Sequence, residues 1–182
     1  MEPLVHFVVP FAALMLAGVE FRRALPISFF ALLPDFDVLF LVHRSPSHSI
    51  IVMSMVAVPF LLLTYKFKLK VYGYALLAFA SAASHLALDV FAGFTPLLWP
   101  LSGYSVWIKT ELAGYIGSSP SLALSAQLLT EPITFQPFQS LDAPLFTGEG
   151  LIVSAVLLMP LLLKALKTKW QRVRYSRELV SD

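Results

Sequence analysis

The sequence predicts an all-α fold, a polytopic transmembrane bundle of about five spans, and this prediction rests on three observations. The chain of 182 residues is 58% hydrophobic and only 13% charged, whereas soluble domains are roughly 25% charged. Its charges lie in clusters that separate long apolar stretches. The basic clusters fall at every second boundary between these stretches. The composition excludes an ordinary soluble enzyme and a nucleic-acid-binding protein with a large basic surface.

The predicted spans are each close to the ~17–25 residues that cross a hydrocarbon core ~30 Å thick. The second span contains Asp35 and Asp37, and Lys164 in the last can extend to the interface. The five spans are residues 3–19, 24–42, 45–65, 71–88 and 150–166.

The positions of lysine and arginine predict the orientation of these spans. With five crossings, eleven of the 13 basic residues lie on one side of the membrane, in clusters at 22–23, 66–70 and 164–177. The positive-inside rule makes that side cytoplasmic, so the N-terminus is outside and the C-terminus inside. Four or six spans would divide the clusters between the two sides. We therefore expect a multi-pass protein of the cell membrane.

Three parts of the chain follow from this topology. Residues 1–101 form the membrane core with the candidate site, 102–149 an extracytoplasmic loop segment, and 150–182 the last helix with a basic cytoplasmic tail. Within the loop segment, residues 121–129 fit a short helix at the membrane interface. Glu111 is expected to be a solvated loop charge, although it follows the core closely.

Ionisable side chains within the spans are the strongest functional indication, because their burial in lipid is costly. The four histidines all lie in or beside the first four spans, together with aspartates. Counted from the nearest basic cluster at ~1.5 Å per residue, five side chains lie roughly 18–28 Å above the cytoplasmic boundary. We expect these five to share one layer near the outer face: His6, Asp35, His48, His85 and Asp89.

Local spacing refines this layer. His85 and Asp89 are four residues apart, so they project from one face of a helix. Asp35 and Asp37 follow Pro34, which interrupts a helix. A broken or re-entrant backbone in the second span is therefore predicted, tolerated only where it lines protein or a water-filled cavity.

The start of the third span is also marked in the sequence. Ser45 is a suitable N-cap residue, and Pro46 suits the first helical position. This places His48 in the first turn of the third span, at the outer mouth of the site.

Imidazoles and carboxylates without thiolates suit Zn²⁺, with Mn²⁺ or iron as alternatives, and the chain has no cysteine. A divalent site of one ion, or of two ions ~3.5–4 Å apart, could activate water for hydrolysis. Arg44 suits a phosphoryl group, His43 could move a proton, and Asp37 could serve in catalysis. The candidate ligands are His6, Asp35, Asp37, His48, His85 and Asp89.

Four motifs occur in order: LPDFD at 33–37, HRSPSHS at 43–49, SHLALD at 84–89 and PLLWP at 96–100. This pattern resembles that of the membrane-bound metal-dependent hydrolases of the YdjM type, which have LLPDID, HRGxTHS, SHxxxD and PLLWP. The resemblance covers residues 1–101, and His6 matches an N-terminal histidine of those proteins. It implies metal-dependent hydrolysis and leaves the substrate open.

The chain departs from that pattern at two places. Val38 stands where the family often has histidine, and residues 45–47 replace Gly-x-Thr. The order of histidines and aspartates is also similar to part of the zinc-dependent phospholipase C arrangement. No histidine follows His85, so a three-zinc site is not expected.

The sequence thus predicts an integral membrane metal-dependent hydrolase whose site lies toward the extracytoplasmic side. The depth of the site and Arg44 favour a phosphoester of a membrane lipid or lipid-linked substrate. A metal-ion transporter and a non-catalytic scaffold stapled by metal are the alternatives. No nucleic-acid partner is expected, and protein partners stay open.

Overall fold

A computed structural model describes residues 2–40, 42, 44–116, 119, 121–137 and 146–178. Most of the described chain is helical. In chain order the elements are α1 (Pro3–Leu16), α2 (Phe21–Ser28), the 3-10 helices Phe29–Leu32, Pro34–Phe40 and Pro46–His48, α3 (Ile50–Phe67), α4 (Leu69–Ala92), β1 (Tyr104–Tyr115), β2 (Ser121–Pro132) and α5 (Gly148–Glu178).

Three helices of the described chain are long and apolar enough to cross a membrane: α3, α4 and Gly148–Lys167 of α5. They correspond to the predicted third, fourth and fifth spans. Only 6% of the α3 window is buried inside the protein, although its mean hydropathy is 2.0. An apolar surface this extensive indicates a lipid environment.

The first two predicted spans form differently. Helix α1 has 14 residues and is ~21 Å long, less than the ~30 Å of a hydrocarbon core. The second predicted span is not one α-helix, since α2 ends at Ser28 and two 3-10 helices follow. The predicted break is therefore present, and it begins before Pro34. The count of five crossings stays a prediction.

The all-α prediction is wrong for the segment after the core, which contains an antiparallel β-hairpin. Strands β1 and β2 pair from Tyr104 opposite Pro132 to Tyr115 opposite Ser121. The predicted interfacial helix at 121–129 lies within β2 and is therefore also wrong. The physical reason is that β1 supplies the backbone partners of β2, and a helical interpretation of one segment alone leaves out this non-local pairing.

The two ends of the bundle differ in character. The carboxylate of Glu2 accepts a hydrogen bond from the backbone N–H of Thr147, so α1 and α5 begin at the same end. Helix α3 starts and α4 finishes at that end too. The basic clusters at 22–23 and 66–70 lie at the opposite end, where the Arg23 guanidinium lies 5.5 Å from the centre of the Tyr74 ring.

The core between α1, α2 and α4 is built from small and medium side chains. Leu14, Ala24 and Ile27 form a buried cluster near the basic end. Helix α4 contributes a row of buried alanines that includes Ala78 and Ala82. Small residues let helices approach closely, and α4 contacts both α2 and the 3-10 helix Phe29–Leu32.

Candidate metal site

The five side chains that were expected to share one layer come together at the end of the bundle away from the basic clusters. The three histidines are fully buried, and Asp89 is 1% exposed. The Asp35 side chain keeps 18% of its surface exposed and marks the open side of the cluster. The cluster consists of His6 from α1, Asp35 from the 3-10 helix Pro34–Phe40, His48 from Pro46–His48, and His85 and Asp89 from α4.

A short 3-10 helix presents His48. The Ser45 hydroxyl caps this helix by accepting the N–H of Ser47 at 3.3 Å, and Pro46 occupies its first position, as the sequence predicts. Helix α3 starts only at Ile50. His48 therefore precedes α3, whereas the first turn of the span was expected.

The PLLWP segment closes over the start of α3 beside His48. The hydroxyl of Ser49 donates to the carbonyl oxygens of Leu97, at 3.3 Å, and Trp99. The N–H of Ile50 donates to the Leu97 carbonyl oxygen at 3.0 Å. This segment thus fixes the backbone that carries His48.

Helix α4 presents the other pair of side chains one turn apart. His85 Nε2 lies 3.5 Å from Asp89 Oδ2, as expected for residues four positions apart on one helical face. The ring of His85 also stacks on that of His6, with ring centres 3.8 Å apart. Both groups are therefore fixed by packing as well as by their helices.

Four atoms converge in the cluster: the Nε2 atoms of His48 and His85 each lie close to one oxygen of Asp35 and one oxygen of Asp89. The two nitrogens are 3.2 Å apart. Asp35 Oδ1 lies 3.5 and 3.4 Å from the nitrogens of His48 and His85, respectively. Asp89 Oδ2 lies 3.3 and 3.5 Å from the same two nitrogens.

These five distances are close to the separations between neighbouring ligand atoms around a zinc ion. Zinc binds nitrogen and oxygen ligands at ~2.0–2.1 Å, which places neighbouring ligand atoms ~3.3–3.4 Å apart. Charge fits as well, because the described cluster contains the carboxylates of Asp35, Asp37 and Asp89 and one guanidinium. With neutral imidazoles a divalent cation would balance this charge. The residues present are therefore suited to such an ion.

His6 extends the cluster on the α1 side. Its Nε2 lies 3.3 Å from Asp89 Oδ1, so the two Asp89 oxygens face different histidines. Potential ligand atoms of His6, Asp35 and His85 lie within 4.8 Å of one another, as do those of His48, His85 and Asp89. The two groups share His85, and an arrangement of this kind has room for one ion or two adjacent ions.

Asp37 lies behind His48, away from the four converging atoms. Its Oδ2 is 3.2 Å from His48 Nδ1 and accepts hydrogen bonds from the Ser45 N–H, at 2.9 Å, and the Ser47 hydroxyl, at 3.1 Å. A carboxylate on the second ring nitrogen fixes the orientation of a metal-binding histidine. Asp37 Oδ2 therefore faces His48 Nδ1, and Asp37 belongs to neither of the two groups of potential ligand atoms, so its predicted role as a ligand stays a prediction.

The guanidinium of Arg44 lies at the edge of the cluster, beside Asp89. Its φ of 54° lies in the left-handed region, which is uncommon for residues other than glycine. Its Nη1 donates to the Phe94 carbonyl oxygen at 2.7 Å, and its Nε lies 3.9 Å from Asp89 Oδ2. A Cβ on Gly93 would lie only 2.6 Å from Nη1, so a side chain at position 93 would displace the guanidinium from this position.

Two further residues are singled out by the sequence. One of them, His43, lies outside the described residues. Glu111 lies on β1, away from the cluster, where Lys109 Nζ is 2.7 Å from its carboxylate and lowers its pKa. Glu111 is therefore a surface charge, as the sequence predicts.

Sequence reasoning missed two residues that support the site. Ser47 lies 3.1 Å from His48 Nδ1 and donates to the Pro34 carbonyl oxygen at 3.0 Å. Gly93 gives space to Arg44. Ser47 stands within the HRSPSHS motif, so its position there was the available indication. Nothing local to Gly93 indicates its role.

The fold and the site together define a helical membrane protein with a buried cluster of histidines and aspartates that is suited to a metal ion. Residues 1–172 match the family model described as YdjM inner membrane protein, and the chain belongs to this family. The match extends well beyond the motifs, which end near residue 101. Nothing in the comparisons indicates similarity to hydrolases or to phospholipase C. No curated protein and no solved structure matches the chain.

Proposed function

We propose that this protein is an integral membrane hydrolase that uses one or two divalent metal ions to cleave a phosphoester of a lipid or lipid-linked substrate. The observation that carries the proposal is the convergence of Nε2 of His48 and His85 with one oxygen each of Asp35 and Asp89, every nitrogen lying 3.2–3.5 Å from the other nitrogen and from both oxygens. Zn²⁺ suits this donor set best, and Mn²⁺ or iron are alternatives.

A divalent ion at this position would act as a Lewis acid that makes water nucleophilic near neutral pH and stabilises charge on phosphoryl oxygens. The protein's own residues supply the rest. Asp37 orients His48 through Nδ1. The guanidinium of Arg44 neutralises the phosphate group of the substrate. Asp35, the most exposed carboxylate of the cluster, borders the side from which the substrate enters.

The proposed orientation places the site toward the extracytoplasmic side. It is supported by the position of the basic clusters at the end of the bundle opposite the site and by the positive-inside rule. The site then lies within the outer half of the membrane, where a lipid can reach it laterally. This depth favours a lipid phosphoester over a water-soluble one.

The direct test combines metal analysis with hydrolysis in the purified, membrane-reconstituted protein. Wild type, Asp35→Asn and the surface control Glu111→Gln are compared for bound zinc, manganese and iron, and for release of phosphate or head group from a panel of phospholipids. We expect Asp35→Asn to lose both metal and activity, and Glu111→Gln to keep both. Metal-loaded wild type that hydrolyses no member of the panel would contradict the proposal.

The same experiment separates the alternatives. A metal-stapled scaffold would bind metal and unfold at a lower temperature after chelation without any hydrolysis. A metal transporter needs ionisable groups along the whole path through the membrane. In the described chain the clustered aspartates and histidines lie at one end of the bundle only, which makes a transporter the weaker alternative.

A further inference from the structure

A groove of about 600 Å³ runs along the bundle between the α2 region, α3 and α4. Its walls are apolar apart from Ser47 and Tyr74. Bulky side chains such as Phe30, Phe60 and Phe79 form much of the lining. Helix α3, which forms one wall, is the span with the least buried surface. The groove therefore belongs to the lipid-facing part of the molecule.

One end of the groove lies beside the candidate metal site, at the residues that directly precede Asp35 and His48 in the chain. The lining there includes Pro34 and Ser47. The Ser47 hydroxyl is 3.1 Å from Asp37 Oδ2 and 3.1 Å from His48 Nδ1. A molecule in the groove would thus have one end beside the residues that hold His48 in place.

The length of the groove limits what it can hold. On α4 the lining extends from Ala82 to Val71, eleven residues or ~16 Å along the helix. This is about half of a hydrocarbon core ~30 Å thick, the depth of one lipid leaflet. Val71 adjoins Lys70 in the basic cluster, so the lining ends where the membrane is expected to end.

We propose that the groove binds one acyl chain of a glycerophospholipid whose phosphate group lies at the metal site. This inference rests on the proposed hydrolase function and defines its substrate class. The apolar walls supply binding energy for a hydrocarbon chain, and Arg44 supplies a cation for the phosphate. A groove of leaflet depth suits an acyl chain, whereas a polyisoprenyl chain is much longer.

The test uses photo-crosslinking, which requires no turnover. Full-length protein in vesicles receives phosphatidylglycerol with a diazirine in the middle of one acyl chain, and the labelled residues are identified by mass spectrometry. The blocking variant Ala57→Trp fills the groove from α3. Its matched control is Val58→Trp on the next residue, which is 45% exposed and not part of the lining.

We expect wild type and Val58→Trp to be labelled at lining residues such as Met53, Phe60 and Phe79, and Ala57→Trp to lose this labelling at least about tenfold, as for a blocked binding site. Bound metal reports on the folding of each variant. If Ala57→Trp fails to fold, the milder Ala57→Leu replaces it. Equal labelling of all outward faces, unchanged in Ala57→Trp, would overturn the inference. A diazirine polyprenyl phosphate that labels the groove in place of the acyl probe would overturn it too.

The two proposals fail separately. Hydrolysis of a short-chain phosphoester without labelling of the groove would leave the hydrolase intact and remove the acyl-chain site. Groove labelling in a metal-loaded protein that hydrolyses no phospholipid would contradict the proposed hydrolase function. The bound acyl chain would then not belong to a substrate. Groove labelling together with hydrolysis that Ala57→Trp reduces would support both.

Discussion

The Nε2 atoms of His48 and His85 lie 3.2 Å apart, although His48 precedes α3 and His85 lies near the end of α4. Helices α3 and α4 follow each other and run in opposite directions, so the start of α3 and the end of α4 lie at the same end of the bundle. Both nitrogens also face Asp35 and Asp89. A shared cation would account for two ring nitrogens and two carboxylate oxygens that lie this close together.

Removal of one of these nitrogens should therefore remove the metal. We expect His85→Ala to bind zinc more than about 100-fold more weakly than wild type, a loss of ~2.8 kcal/mol or more. Ser84→Ala, on the neighbouring residue, should bind zinc as wild type does. Elemental analysis and zinc titration of the purified proteins give both values. Equal zinc content in His85→Ala and wild type would remove His85 from the ligand set.

Asp37→Asn tests the residue behind His48. The substitution keeps the size of the side chain and removes the charge that faces His48 Nδ1 at 3.2 Å. Metal affinity should fall by about 10–100-fold, as it does when groups that orient a metal-binding histidine are removed. Competition with a zinc-binding dye measures the change.

The affinity that remains in Asp37→Asn separates two roles. A positioning residue leaves measurable zinc binding after substitution, whereas removal of a direct ligand resembles His85→Ala. A loss as large as that of His85→Ala would make Asp37 a ligand, as the sequence alone suggested.

Gly93→Ala tests the position of Arg44. The added methyl group would lie 2.6 Å from Nη1 and must displace the guanidinium, which lies 3.9 Å from Asp89 Oδ2 but is not a candidate ligand. We expect zinc content to be unchanged and phospholipid hydrolysis to fall by about tenfold or more, the loss for ~1.4 kcal/mol of transition-state stabilisation.

Gly103→Ala is the control for this substitution, since an added Cβ there meets nothing within 4 Å. Its zinc content and its hydrolysis should equal those of wild type. If Gly93→Ala keeps full activity, the guanidinium has no part in the reaction.

Gly150→Ala tests the contact between the starts of the first and last helices, α1 and α5. A Cβ at Gly150 would overlap the carboxylate of Glu2 and move it away from the start of α5. An anion at a helix N-terminus contributes ~0.3–1 kcal/mol or more when partly buried, so the unfolding temperature should fall by a few degrees. Thermal unfolding followed by circular dichroism measures the shift.

Gly148→Ala provides the comparison at the same helix end. It meets nothing within 4 Å and should be neutral or slightly stabilising, because alanine favours helix over glycine. If both variants unfold at the wild-type temperature, the contact with Glu2 does not stabilise the fold.

Much of the site could be predicted because its rules are local. The four-residue spacing of His85 and Asp89 fixes them on one helical face, and counting from basic clusters places five side chains in one layer. Pro34 marks the region where the helix is broken, and Ser45 marks the start of the next helix. Each of these predictions depends on helix geometry or on the cost of charge in lipid.

The parts that could not be predicted depend on contacts between distant segments. The β-hairpin requires Tyr104 to pair with Pro132, which is distant in the sequence. Neither strand alone has an alternation of apolar and polar residues strong enough to indicate it. The rotation of Asp37 toward His48 Nδ1 depends on the 3-10 geometry of residues 34–40. The position of the Arg44 guanidinium depends on Gly93, forty-nine residues later in the chain.

The order of the elements also bears on assembly. Every side chain of the four-atom cluster belongs to residues 35–89, and His6 precedes them. During synthesis these groups are translated before the hairpin and α5. The proposed ion can therefore bind before α5 is made, and α5 then packs against a preformed core, where Glu2 meets its first turn.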